Sequence, residues 1–127
     1  KSDTLGISSL WAYYFGTGSL SAVLDNAPTY LSFLQVAFGP QEIDDAGMRQ
    51  FLATRQGAAT LNAISTGAVL FGAMTYIGNG PNFMVKAIAE QSKVRTPSFF
   101  DYVFRYALPV LLPIFGLVAV LCFWRGR

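Results

Sequence analysis

The feature that most constrains this chain is where its charges are missing. Sixteen formal charges are spread over 127 residues, and the stretches 4–24, 26–41, 56–85 and 106–124 carry none. Those gaps hold 21, 16, 30 and 19 residues, 86 of the 127. A soluble domain of this size needs a charged surface around one small core, and a run of 30 uncharged residues cannot supply it. Hydrophobic residues make up 53% and charged residues 13%, about half the charge of ordinary soluble domains. The chain reads as an all-α integral membrane protein, or part of one, with the lipid bilayer as its first partner.

Other classes fall away on the same evidence. A net charge of +2 without a basic run leaves no footprint for nucleic acid. There is no His, and the single Cys122 lies inside the last apolar run, so His-based catalysis, His/Cys metal sites and an internal disulfide are excluded. A Ser/Asp pair without a base is no catalytic constellation, so an enzyme is not expected and no cofactor is called for. The opening Lys1-Ser2-Asp3 lacks an initiator Met and a signal-peptide pattern, and reads as an excised start.

The first apolar tract, 4–38, is too long for one straight span. Thirty-eight residues from Thr4 to Gln41 would extend about 57 Å as a helix, against a hydrocarbon core of about 30 Å. The sequence breaks it at Asp25-Asn26-Ala27-Pro28-Thr29, where a capping residue precedes a proline. Leu5–Leu24 is then long enough to span and Pro28–Phe38 is not, which predicts a re-entrant or broken-helix hairpin with its tip at 25–29. Gly39-Pro40 signals a turn, and Asp45–Arg55 predicts a short interfacial helix with Met48, Phe51 and Leu52 on one face.

The second tract, 58–92, repeats the pattern. Ala58–Tyr76 is rich in the small residues that let membrane helices approach closely, and it meets a second break at Gly78-Asn79-Gly80-Pro81-Asn82. A shorter, more polar helix follows, with Lys86 and Glu90 four residues apart. The final tract, 102–124, reads as a conventional span. Tyr102, Phe104, Tyr106 and Trp124 form its interfacial belts, and Arg125 and Arg127 its polar stop.

The two breaks, 25–30 and 78–83, share Asn, a tiny residue, Pro, a short polar residue and an aromatic in that order. Irregular backbone at membrane depth survives only inside protein or beside water. Paired breaks are how secondary transporters build sites at the midplane, with half-helix N-termini facing anions and unwound carbonyls facing cations. Asp25 is the sharpest candidate. A carboxylate at depth costs roughly 2.5–3.5 kcal/mol, so it reads either as a Na⁺ or proton ligand or as the N-cap of the second half-helix. Asn26, Asn79 and Asn82 offer amide donors and acceptors, Thr29 and Thr75 hydroxyls, and Gly78 free backbone. Pro28, Gly80 and Pro81 make the breaks.

The strings Ser21-Ala22-Val23-Leu24-Asp25-Asn26-Ala27-Pro28-Thr29 and Gly72-Ala73-Met74-Thr75-Tyr76-Ile77-Gly78-Asn79-Gly80-Pro81-Asn82 resemble the ion transporter superfamily. That group includes sodium/proton antiporters, arsenite permeases and citrate and dicarboxylate carriers. The resemblance runs on through Pro97-Ser98-Phe99-Phe100 into the last tract. It implies two inverted repeats, each with a re-entrant hairpin and a broken helix meeting at the substrate site. By that similarity the chain is the C-terminal part of such a transporter. Asp25, Asn26, Thr29, Thr75, Asn79 and Asn82 then fall on site-lining positions. An N-terminal half of the same transporter would supply the facing hairpin, and a homodimer in a bacterial inner membrane is the expected setting.

The tip departs from the divalent-anion branch, which carries Ser-Asn-Thr where this chain has Asp25-Asn26-Ala27-Pro28-Thr29. A carboxylate there would repel citrate, and Lys86 is the cation nearest the breaks. The sequence therefore ranks Na⁺/H⁺ antiport first, with Na⁺ and H⁺ as transported or coupling ions. Citrate, dicarboxylate or arsenite transport comes second, and a membrane subunit that serves only assembly third.

Overall fold

The computed structural model describes residues 9–123. Expectations placed on Lys1, Leu5, Trp124, Arg125 and Arg127 lie outside the described residues. Within them the chain is all-helical, without a strand. In chain order the elements are α1 (Leu10–Ser21), α2 (Asn26–Phe38), α3 (Asp45–Ala53) and α4 (Arg55–Phe71), which a tighter turn extends over Gly72–Met74. Then follow α5 (Gly80–Gln91) and α6 (Phe99–Phe123). Two helices are long and apolar enough to cross a membrane: Arg55–Met74, with 20 residues, and Phe99–Phe123, with 25.

Short polar side chains start most of these helices. Ser9 Oγ accepts from Ala12 N at 3.2 Å, Asp44 Oδ1 from Gly47 N at 2.8 Å and Thr54 Oγ1 from Gly57 N at 3.0 Å. Each satisfies a donor that the first helical turn leaves free. Gly39 stops α2 with φ of 98°, a conformation that favours glycine. Gln35 Nε2 then ties the turn by donating to the carbonyls of Gly39 at 2.7 Å and Gln41 at 3.0 Å.

The core lies between α1 and α4. On α1 the buried residues Tyr14, Thr17, Gly18 and Ser21 recur at helical spacing, and on α4 so do Thr60, Ile64, Gly67, Ala68 and Phe71. Glycine lets the two backbones meet. A Cβ at Gly67 would stand 2.4 Å from the Tyr14 carbonyl oxygen, and one at Gly18 would stand 2.5 Å from the Phe71 ring. Tyr14 packs edge-on against Phe71, with ring centroids 5.4 Å apart, and its hydroxyl donates to the Phe115 carbonyl of α6 at 3.0 Å. Phe71 in turn meets Phe115 at 4.7 Å, which closes the core onto α6. α2 lies beside α1 and α4, its Phe33 ring against Gly16.

The irregular backbone does not sit where the prolines suggested. Helix is interrupted over residues 22–25 and 75–79, and both α2 and α5 begin before their proline. Pro28 is the third residue of α2 and Pro81 the second of α5. First-turn N–H groups have no partner within the helix, so a proline there forfeits nothing and its fixed φ suits the helix. The breaks precede their prolines instead of surrounding them. The last tract also differs from a conventional span. Tyr102–Leu111 is wound in the wider i→i+5 register, which accommodates Pro109 inside the helix.

Candidate functional site

The two interruptions face one another. Thr75 lies in the second, with its hydroxyl oxygen accepting from Ile77 N at 3.2 Å and Gly78 N at 3.0 Å. Its proton goes to the Ala22 carbonyl at the end of α1. Gly78 lies directly on that same end. A Cβ there would be 2.5 Å from the Ser21 oxygen and 2.8 Å from the Ala22 oxygen, so the position admits only glycine at this approach.

Asn26, the first residue of α2, completes the joint. Ser21 Oγ lies 2.6 Å from the Ala68 carbonyl and 2.6 Å from the Asn26 amide. A hydroxyl has one proton. If it goes to Ala68, the amide group at Ser21 must be the NH₂, which then also reaches Ala68 O at 3.0 Å and Gly78 O at 3.2 Å. In that orientation the two amide protons face Ser21 Oγ, Ala68 O and Gly78 O, while Ala68 O also takes the Ser21 proton, an orientation assigned from the hydrogen-bond network. Asn26 thus links α1, α4 and the second break. Gly72 leaves room for it, because a Cβ at Gly72 would come within 2.7 Å of the Asn26 side chain and 2.9 Å of Gly78 O.

Of the sequence-predicted residues, the structure brings Asn26, Thr75 and Gly78 together. Asp25 stands apart: it is exposed, and Oδ1 accepts from Asn26 N at 2.8 Å at the start of α2. Thr29 is buried in the first turns of α2, with its hydroxyl lacking a partner among the described residues, as does that of Thr17 on α1. Asn79 is half-buried and caps α5 through its backbone, its carbonyl accepting from Asn82 N at 3.1 Å. The Asn79 side chain makes no capping bond. Asn82 is half-buried in the first turn of α5, and Gly80 opens onto free space. Lys86, a turn along α5, pairs with Glu90, whose carboxylate also accepts from Thr96 Oγ1 at 2.7 Å. Among the described residues no cluster of three acidic, His or Cys side chains could hold a metal.

Sequence reasoning missed Ser21, Ala68 and Gly72. Ala68 contributes a carbonyl and Gly72 an absence of side chain, neither of which a residue type announces. Ser21 stood in the string that carries the resemblance but drew no role of its own.

The described residues are thus all-helical, with two helices long and apolar enough to cross a membrane and two interruptions joined through Asn26, Thr75 and Gly78. The family model described as "Putative citrate transport" matches residues 2–123, so the chain belongs to this citrate-transporter-like family of the ion transporter superfamily. No match was found among curated proteins or among solved structures.

Proposed function

We propose that this chain forms part of a secondary active carrier for citrate or a related carboxylate, a transporter and not an enzyme. Residues 10–38 act in it as a re-entrant hairpin and residues 55–91 as a discontinuous helix. The observation that carries the reading is the start of α5. It is capped by the uncharged backbone of Asn79, opens at Gly80, and lies against the first break through Gly78 and Asn26. The N-terminus of a helix bears about half a positive charge and free N–H groups, which suit a carboxylate. The Asn79 and Asn82 amides stand beside it as further donors. An N-terminal half of the same transporter completes the site with its own hairpin, and Na⁺ or H⁺ serves as coupling ion.

The matched family gives more support to this anion reading than to Na⁺/H⁺ antiport, which the sequence placed first. One observation still favours antiport: the Asp25 carboxylate is exposed beside the first break, where a carboxylate suits a cation better than an anion. The two are separated in proteoliposomes holding the full transporter. Saturable uptake of labelled citrate, competed by unlabelled citrate, is expected. Absence of citrate uptake together with sodium-driven collapse of a pH gradient would replace the reading by antiport.

A further inference from the structure

Consecutive residues pin the second break from opposite sides. Thr75 ties it inward to Ala22, while Tyr76 faces outward to α6. The Tyr76 and Tyr102 rings stack with centroids 4.4 Å apart and planes 21° from parallel. Lys86 Nζ lies 5.6 Å from the centre of the Tyr76 ring, and the Tyr76 hydroxyl reaches toward the Pro97 carbonyl at 3.5 Å. A third contact explains why the stack sits there. In an unbroken helix the Ala73 carbonyl would accept from Ile77 N, but that N–H is given to Thr75 Oγ1. The Tyr102 hydroxyl donates to Ala73 O instead, at 2.8 Å. Tyr102 is also the first residue of the widened stretch of α6, so the register of that helix sets where its ring falls.

We propose that Tyr102, acting on Ala73 and through Tyr76, is a positioning residue of the transport site. It holds the second break from the outside so that Asn79 and the start of α5 stay in place against the first break. The inference rests on the carrier reading for its transport readout but not for its structural one. Tyr102→Phe keeps the ring and removes only the bond to Ala73. A hydrogen bond of this kind shifts a local equilibrium by about fivefold.

Two measurements on the full transporter test it. In the first, Asn79→Cys in a Cys122→Ser background is labelled with a small thiol reagent, with and without Tyr102→Phe. The labelling rate is expected to rise about fivefold, and an unchanged rate overturns the proposal whether or not citrate is the substrate. In the second, the half-saturating citrate concentration is expected to rise by a similar factor in Tyr102→Phe and further in Tyr102→Leu, at unchanged maximal rate per inserted protein. Adding Tyr76→Leu to Tyr102→Leu is expected to change it little more, because the two side chains act as one. A loss confined to the amount of inserted protein would make Tyr102 a packing residue and overturn the positioning role. Failure of wild-type citrate uptake with a faster labelling rate would reject the carrier reading and keep the brace.

Discussion

An alanine at Gly78 would place its Cβ 2.5 Å from the Ser21 carbonyl oxygen and 2.8 Å from that of Ala22. Ordinary contact begins at 3.4 Å, so the second break would have to retreat by about 1 Å. Both obstructing groups are backbone at the end of a packed helix, and no side-chain rotation relieves them. Overpacking of this kind costs about 1–3 kcal/mol. Retreat also stretches the bonds from Thr75 to Ala22 and from Asn26 to Gly78, each contributing about 1 kcal/mol. The total, about 3–5 kcal/mol, is a loss of about 150-fold or more in the population of the joined state. Gly80, two residues on, meets nothing within 4 Å, so alanine there meets no such obstruction. Thermal unfolding of the two variants in detergent, paired with citrate uptake, is the assay. Gly78→Ala is expected to unfold well below wild type and transport poorly, whereas Gly80→Ala unfolds close to wild type. Equal midpoints and equal uptake for the two would refute the claim that the breaks are locked together.

The same joint makes Asn26→Asp harmful. A carboxylate facing the Ala68 and Gly78 carbonyls has no proton to give, and the loss is expected to be about 1–3 kcal/mol in unfolding free energy, measured by denaturation in mixed micelles. Asp25→Asn is expected to be mild, because Asn caps a helix as well as Asp does and the side chain is exposed. Citrate uptake by that variant should match or exceed wild type, since a negative charge near an anion path is removed. Its abolition would favour an ion-binding role for Asp25.

Much of the scaffold was readable because it rests on gross patterning. Uncharged gaps of membrane length mark α4 and α6, and the small residues of α4 announce a close approach that Gly67 and Gly18 realise. The existence of two breaks was also legible, since an Asn, a tiny residue and a Pro follow one another only there. Their position was not: a proline constrains the turn it starts, so the irregular residues lie upstream, at 22–25 and 75–79. The joint itself was half legible. Asn26, Thr75 and Gly78 carry side-chain or backbone signals, whereas Ala68 enters as a carbonyl and Gly72 as empty space. The widened register of α6 depends on how the chain accommodates Pro109, which local sequence does not dictate. The ranking of antiport above citrate rests on the charge of Asp25 at the tip. In the structure that carboxylate is spent on a backbone N–H at an exposed cap.

The central claim is that a carboxylate substrate binds at the start of α5, where the two breaks meet. Equilibrium binding of labelled citrate to the purified full transporter, wild type against Asn79→Leu, tests it most directly. Saturable binding that weakens about tenfold or more without the Asn79 amide is expected, the size of a hydrogen bond to a charged group. Citrate binding that is absent in the wild type, or identical in the two proteins, would contradict the account.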